Sequence, residues 1–224
     1  MAMKRSKHRK PLRPLFLIQI LIRILSLFGL ASAKFTYDTH GMEKIGKKEP
    51  CLILMNHSSF MDLEIASHIF FPKRYGIVTT SDGFIGPLMR ILMPLLGCIP
   101  TQKFVSDMSL IKNMQYMLKE KKTSVLMYPE ASYSFDGTCT PLPRKMGVLL
   151  KKFDVPVIMI ETSELYLRNP LYNELQIRKG ANAKVKAYLL FSQEDVRNKS
   201  VKELSDGVDA AFGFDHYKWQ KEQG

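Results

Sequence analysis

An apolar run, Leu52-Ile-Leu-Met, ends on Asn56 and His57, and five residues after that histidine comes Asp62. An imidazole with a carboxylate beside it is equipped for proton transfer. The carboxylate accepts from one ring nitrogen, fixes the tautomer, leaves the other nitrogen as a base and stabilises the imidazolium that forms. A continuous helix would keep the two apart, because five residues turn through about 500°, about 140° off-face. A strand that ends at His57 and a helix that starts near Asp62 lets the carboxylate fold back. Ser59-Phe-Met-Asp62 has the S-x-x-D form of a helix capping box, which marks such a start.

By spacing alone, an aspartate that merely caps a helix next to a structural histidine is the stronger reading. A second element shifts the balance. An apolar run over 123–128 leads into Tyr128-Pro129-Glu130-Ala131-Ser132-Tyr133-Ser134. If both runs are parallel strands, an acid and several hydroxyls meet the imidazole at the carboxyl ends, where open α/β sheets bind ligands.

The elements that must position these residues are legible as a pattern. Apolar, β-branched runs alternate with helical periodicities, which predicts an α/β fold with a mixed, mostly parallel sheet flanked by helices. Strands are expected near 35–39, 51–55, 75–80, 97–100, 123–128, 155–161 and 184–191. The clearest helix is 107–121, where Leu110, Ile111, Met114, Met117 and Leu118 share a face behind an N-capping Ser106 or Asp107. Further helices are expected near 60–70, 85–95, 145–153 and 200–211, and a Gly-, Thr- and Pro-rich loop over 134–143.

A chain of 224 residues, 46% hydrophobic and 24% charged, can bury a sizeable core, which excludes disorder and suggests one domain. Of its net charge of +12, eight units sit in residues 1–34, which contain no acid. The basic arm runs straight into twelve Leu, Ile and Phe residues between positions 15 and 30, without the basic–aromatic interleaving of nucleic-acid readers. A membrane surface is the expected partner, and nucleic acid is not.

The segment 15–33 is long enough to span a bilayer, but Gln19, Arg23 and Ser26 form a polar stripe on one helical face. Six Lys or Arg before position 14 would hold the N-terminus in the cytoplasm, and one span would put the rest of the chain on the far side. A monotopic or re-entrant helix on the cytoplasmic face avoids this. A cleaved signal peptide ending at Ala31-Ser-Ala33 is the lesser reading, since Arg23 shortens its apolar stretch to about seven residues. A helix buried in the domain's own core is the other, and the polycationic flank argues against it.

Other patterns carry less. The stretch 41–48 matches phosphate-loop spacing but has Lys48 where a hydroxyl should hold magnesium, so a turn is expected. No G-x-G-x-x-G occurs, and Asn56-His-Ser58 and Asn198-Lys-Ser200 match the glycosylation tripeptide only as common chance patterns. Cys51, Cys98 and Cys139 lack any C-x-x-C pairing and read as small buried hydrophobes in a reducing compartment, without a disulfide or metal site.

Asn56-His57-Ser-Ser-Phe-Met-Asp62 resembles the His-x-x-x-x-Asp block of the glycerolipid acyltransferases, the family of 1-acyl-sn-glycerol-3-phosphate acyltransferase. Tyr128-Pro-Glu130-Ala-Ser-Tyr-Ser134 is similar to that family's Phe-Pro-Glu-Gly-Thr-Arg-Ser block, and Val155-Pro156-Val-Ile-Met-Ile160 to its apolar Val-Pro block. Gly97-Cys-Ile-Pro-Thr-Gln-Lys103 stands where the family has a Gly-led strand ending in a basic residue, and Lys145-Met-Gly147 resembles a Lys-Lys-Gly stretch. The blocks keep the family's order over roughly residues 50–161.

The resemblance implies an acyltransferase domain over 35–224 behind a basic arm and membrane-associated helix over 1–34. It implies that His57, oriented by Asp62, takes the proton of a lysophospholipid hydroxyl, 1-acyl-sn-glycerol 3-phosphate foremost, as that oxygen attacks a thioester. The donor would be acyl-CoA or acyl-carrier protein, with no cofactor, no metal and no acyl-enzyme. Glu130, Ser132 and Tyr133 would bind the acceptor. Tyr133 stands in place of the family's Arg and Lys103 in place of another, which weakens bidentate phosphate recognition; Lys103 and Lys145 are left as point-charge candidates. The alternatives are a thioesterase or lipase with water as acceptor, although a G-x-S-x-G elbow is absent, and a non-catalytic lipid-binding module.

Overall fold

The computed structural model of the chain describes residues 10–31, 35–39, 49–59, 61–101, 108–134, 139, 142–168 and 183–213. In chain order the elements are α1 (Phe16–Ala31), β1 (Phe35–Asp38), β2 (Leu52–Met55), α2 (Asp62–Phe70), β3 (Tyr75–Thr80), α3 (Pro87–Leu95), β4 (Cys98–Thr101), α4 (Met108–Gln115) and β5 (Ser124–Met127). Then come α5 (Met146–Phe153), β6 (Val157–Ser163), α6 (Leu165–Arg168), β7 (Ala183–Phe191), α7 (Gln193–Asn198) and α8 (Val201–Ala211).

The seven strands form one sheet in the order β1-β7-β6-β2-β5-β3-β4, parallel throughout except between β6 and β7. This is the mixed, mostly parallel sheet expected, and each expected strand is present. β2 lies at the centre and is wholly buried, which is why it reads as an unbroken apolar run. Its side chains alternate between two cores. Leu52 and Leu54 pack with Val125 and Met159 against Met114 and Met117 of the α4 segment, Phe153 of α5 and Leu204 of α8. Ile53 and Met55 pack with Leu126 and Ile160 against Ile65 and Phe70 of α2 and Leu30 of α1.

The crossover from β2 to β3 therefore runs over one face, and those from β4 to β5 and from β5 to β6 run over the other, as right-handed connections require. The reversal falls between adjacent strands β2 and β5. Their carboxyl ends part there into a crevice.

Local differences from expectation have physical causes. The helix expected over 107–121 keeps α-helical bonding to Gln115 and then widens into a π-turn over Tyr116–Glu120, while Met114, Met117 and Leu118 stay buried. α6 and α7 were not expected, being too short for a 3.6-residue periodicity. α5 and α8 approach closely, because a Cβ at Gly147 would lie 2.0 Å from the Val201 carbonyl oxygen. Ser106, Asp107, Lys103, Trp219, the stretch 41–48 and much of the loop 134–143 lie outside the described residues.

α1 turns its polar stripe toward the domain. Gln19 Nε2 donates to the Tyr75 carbonyl at 3.1 Å, Arg23 Nη1 bonds the Nδ1 of His68 on α2, and Ser26 Oγ donates to the Arg23 carbonyl at 2.7 Å. The opposite face is apolar and uncovered, with Leu17 79% and Phe28 75% exposed. Among the described residues, no helix is long and apolar enough to cross a membrane.

Candidate active site

β2 gives way at Asn56, and the chain turns across the carboxyl edge of the sheet before α2 begins at Asp62. The capping box expected at Ser59 forms only in half. Asp62 Oδ2 reaches back to the Ser59 amide at 3.3 Å and the Ser58 amide at 3.1 Å, while the Ser59 hydroxyl takes the Met61 amide at 2.9 Å. The other half is absent because the Asp62 amide donates to the Ser59 carbonyl, at 3.3 Å, rather than to its hydroxyl. The same Oδ2 lies 2.8 Å from His57 Nδ1.

A carboxylate accepts, so Nδ1 carries the proton and Nε2 keeps the in-plane lone pair. Asp62 is 1% exposed. Burial pushes its carboxyl above the ordinary range, while the imidazole and the two amides pull it back. Its position at the start of α2 also sets the negative charge at the positive end of that helix.

His57 is clamped on both faces. Its ring stacks on Tyr128 at 3.9 Å between centroids and on Tyr133 at 3.6 Å, each within 28° of parallel. Two rings that close cannot share one face of an imidazole, so the tyrosines flank it and leave only its edge accessible. Desolvation, with the Asp62 charge second for Tyr133 and Tyr128 alike, raises both phenols, which keeps them neutral.

The loop after β5 holds the histidine backbone as well. Glu130 Oε2 accepts the His57 amide at 2.8 Å, and the Ser134 amide donates to the His57 carbonyl at 2.7 Å. A sharp turn makes this possible: the Ala131 amide donates to the Tyr128 carbonyl, and Ala131 takes φ 52°, left-handed backbone that disfavours a side chain. On the other flank, Asn56 Nδ2 donates to the Thr162 carbonyl at 2.8 Å and its Oδ1 accepts the Thr162 amide at 2.7 Å, while the Ser58 and Thr162 hydroxyls lie 2.7 Å apart. Asn56, Ser58 and Thr162 thus lock β2 to β6.

The structure brings His57, Asp62, Glu130 and Tyr133 into one cluster. Ser132 borders it, exposed, with its hydroxyl donating to the Glu130 carbonyl at 3.3 Å. Lys145 stands exposed just before α5, and among the described residues no hydrogen bond or ion pair joins it to the cluster. Sequence reasoning gave no role to Tyr128, Asn56 or Thr162. The signal available for Thr162 was a hydroxyl two residues after the apolar run that ends at Ile160.

Beside the cluster lies a cleft of about 490 Å³ with Ser58, Glu130, Ser134, Thr162 and Tyr166 in its walls. Cys51 and Cys98 are buried and free; burial raises both thiols, Cys98 to about 12. Burial, and then the charge of Glu130, raise the Cys139 thiol too. Such thiols are poor nucleophiles. Among the described residues, no group of His, Cys, Asp and Glu could hold a metal ion. What the cluster can do is accept a proton at Nε2 and hold the resulting charge.

The chain is similar to known acyltransferases in sequence and in fold. A family model described as Acyltransferase matches residues 36–162. The 1-acyl-sn-glycerol-3-phosphate acyltransferase BAT2, chloroplastic, of Brassica napus is 27% identical over 126 residues, 55% of this chain and 36% of that protein. The chain thus spans little more than a third of the length of that curated relative. The crystal structure of the 1-acyl-sn-glycerophosphate acyltransferase PlsC from Thermotoga maritima superposes with a TM-score of 0.64 at 16% identity, covering 87% of this chain and 76% of that one.

Proposed function

The chain belongs to the acyltransferase family, and from that premise we propose that it moves a fatty acyl group from a thioester, acyl-CoA or acyl-carrier protein, to a lysophospholipid hydroxyl. The foremost acceptor is 1-acyl-sn-glycerol 3-phosphate, since both relatives are named as acyltransferases of a 1-acyl-sn-glycerol phosphate. The observation that carries this reading is the His57 Nδ1 to Asp62 contact of 2.8 Å at the carboxyl ends of β2 and β5.

His57 Nε2 takes the hydroxyl proton as the acceptor oxygen attacks the thioester carbonyl. Asp62 holds the ring and stabilises the imidazolium. The tetrahedral intermediate collapses with cleavage of the carbon–sulfur bond, and the imidazolium returns its proton to the departing thiolate. The products are an ester and a free thiol, and no protein side chain is acylated.

Glu130 serves this step first by fixing the His57 backbone, and its place in the wall of the 490 Å³ cleft suits contact with the acceptor's glycerol portion. Lys103 and Lys145 are the proposed point charges for a phosphate. α1 is proposed to rest in the membrane interface, since its outward residues Leu17, Leu21, Ile24, Leu25 and Phe28 are all exposed and its polar stripe is spent on the domain.

Purified protein given labelled acyl-CoA or acyl-carrier protein with a panel of lysolipids is expected to form a diacyl product at a rate that depends on the acceptor. Release of free fatty acid at a rate indifferent to every acceptor would overturn the assignment in favour of a hydrolase.

A further inference from the structure

α3 is a nine-residue helix, Pro-Leu-Met-Arg-Ile-Leu-Met-Pro-Leu, without one buried residue. Ile85, just ahead of it, is 73% exposed, Leu88 67% and Ile91 66%. One isolated apolar residue on a surface needs no explanation, but a helical face of them does.

The topology says what that face adjoins. β2 to β3 and β3 to β4 both step toward the same edge of the sheet, so right-handed crossovers put α3 in the layer of α2. α1 packs against α2 in that same layer, through the Arg23–His68 bond. α1 and α3 also meet directly: the Leu15 amide donates to the Leu95 carbonyl at 3.0 Å, and Pro14 lies over Gly97, whose φ of 75° and absent side chain permit the approach. From that junction, at the amino-end edge of the sheet, α1 runs toward the carboxyl-end edge, and α3 runs from that edge back to the junction. Ile85 follows β3 at the edge where His57 follows β2.

Charge complements the apolar layer. Arg13 is exposed beside the junction and Arg90 is exposed on α3, against Asp82 in the turn before the helix, whereas Lys10 reaches the other layer to pair with Glu120. The arm ahead of them adds Lys4, Arg5, Lys7 and Arg9. Apolar side chains in a basic surround fit the acyl-chain boundary of an anionic bilayer.

We infer that α3, through Ile85, Leu88 and Ile91, is a second membrane-contact element, continuous with α1, so that the whole helical layer beside the candidate active site rests on the bilayer. This rests on the membrane reading of α1 and extends it to an internal helix.

The test uses the full chain with mixed phosphatidylcholine–phosphatidylglycerol vesicles. Ile91→Trp is introduced with Trp219→Phe, which removes the only tryptophan of the sequence. The indole introduced at 91 is expected to shift to the blue on vesicle addition and to be quenched by brominated acyl chains. Leu88→Ser with Ile91→Ser, both at exposed positions, is expected to weaken vesicle partitioning at least about tenfold. If the wild type binds vesicles while the indole is unquenched and the serine variant binds equally well, the inference is overturned and the α1 reading stands. If the wild type does not bind, both fall. Emission that changes with protein concentration rather than with lipid would assign the face to a second copy of the chain and overturn it too.

Discussion

Asp62 sets the fold against the chemistry. Its folded-state pKa is raised, chiefly by burial, so the fold holds it more easily protonated. The ionised group therefore costs stability, fully above the folded value and not at all below the ordinary aspartate value. Asp62→Asn keeps the shape and removes that charge, so its stability relative to wild type is expected to rise with pH, read as urea midpoints across the acid range. The same variant is expected to lose about 10³–10⁴-fold in acyl transfer, because the amide no longer enforces the tautomer or steadies the imidazolium. Equal activity in the two proteins would remove Asp62 from the mechanism. Ala131 shows a second conflict, since the family block that its segment resembles has glycine there and the backbone sits at φ 52°. Ala131→Gly is expected to stabilise the protein by about 1 kcal/mol in chemical denaturation; a loss would mean that the turn is not left-handed.

At the scale of elements, the site is two strand ends clamped by three segments. Thr162 accepts and donates within the lock between β2 and β6, its hydroxyl lying 2.7 Å from the buried Ser58 hydroxyl. Thr162→Val keeps the volume and strands that serine, which is expected to cost about 1–3 kcal/mol in denaturant unfolding. An unchanged midpoint would show that the lock contributes nothing. This part of the site was invisible in the sequence for a definite reason. Asn56 and Thr162 are 106 residues apart and meet only through the β2–β6 register, whereas His57 and Asp62 are five apart and a single turn joins them. The aromatic clamp was hidden in the same way, because that Tyr128 and Tyr133 flank His57 depends on β5 lying beside β2. The strands themselves were legible, since burial on both faces leaves continuous apolar runs. The π-turn after α4 was not, because Met117 and Leu118 keep the periodicity of the helix they depart from.

Among the described residues, the helical layers on the sheet's two faces differ in what they bury and what they expose. One helical layer, α4, α5 and α8, closes a core; in the other, α1 and α2 close a core on the inner side, while α1 and α3 leave apolar side chains exposed outside. Only part of that was readable beforehand. The basic arm and apolar run announced α1, but α3 shows its exposed face only once the topology places it at the edge. If the arm contributes by charge and α1 by burial, sedimentation with anionic vesicles is expected to weaken as salt rises, with a residue that salt does not remove. Complete release at high salt would leave α1 with no apolar contribution.

If a steered imidazole drives acyl transfer, His57→Ala must abolish it. The measurement is the initial rate of acyl transfer from labelled acyl-CoA to 1-acyl-sn-glycerol 3-phosphate on vesicles, for wild type and variant matched in circular dichroism and unfolding midpoint. A fall of at least about 10³-fold in the variant is expected. A rate within a few fold of wild type would show that His57 is not the base.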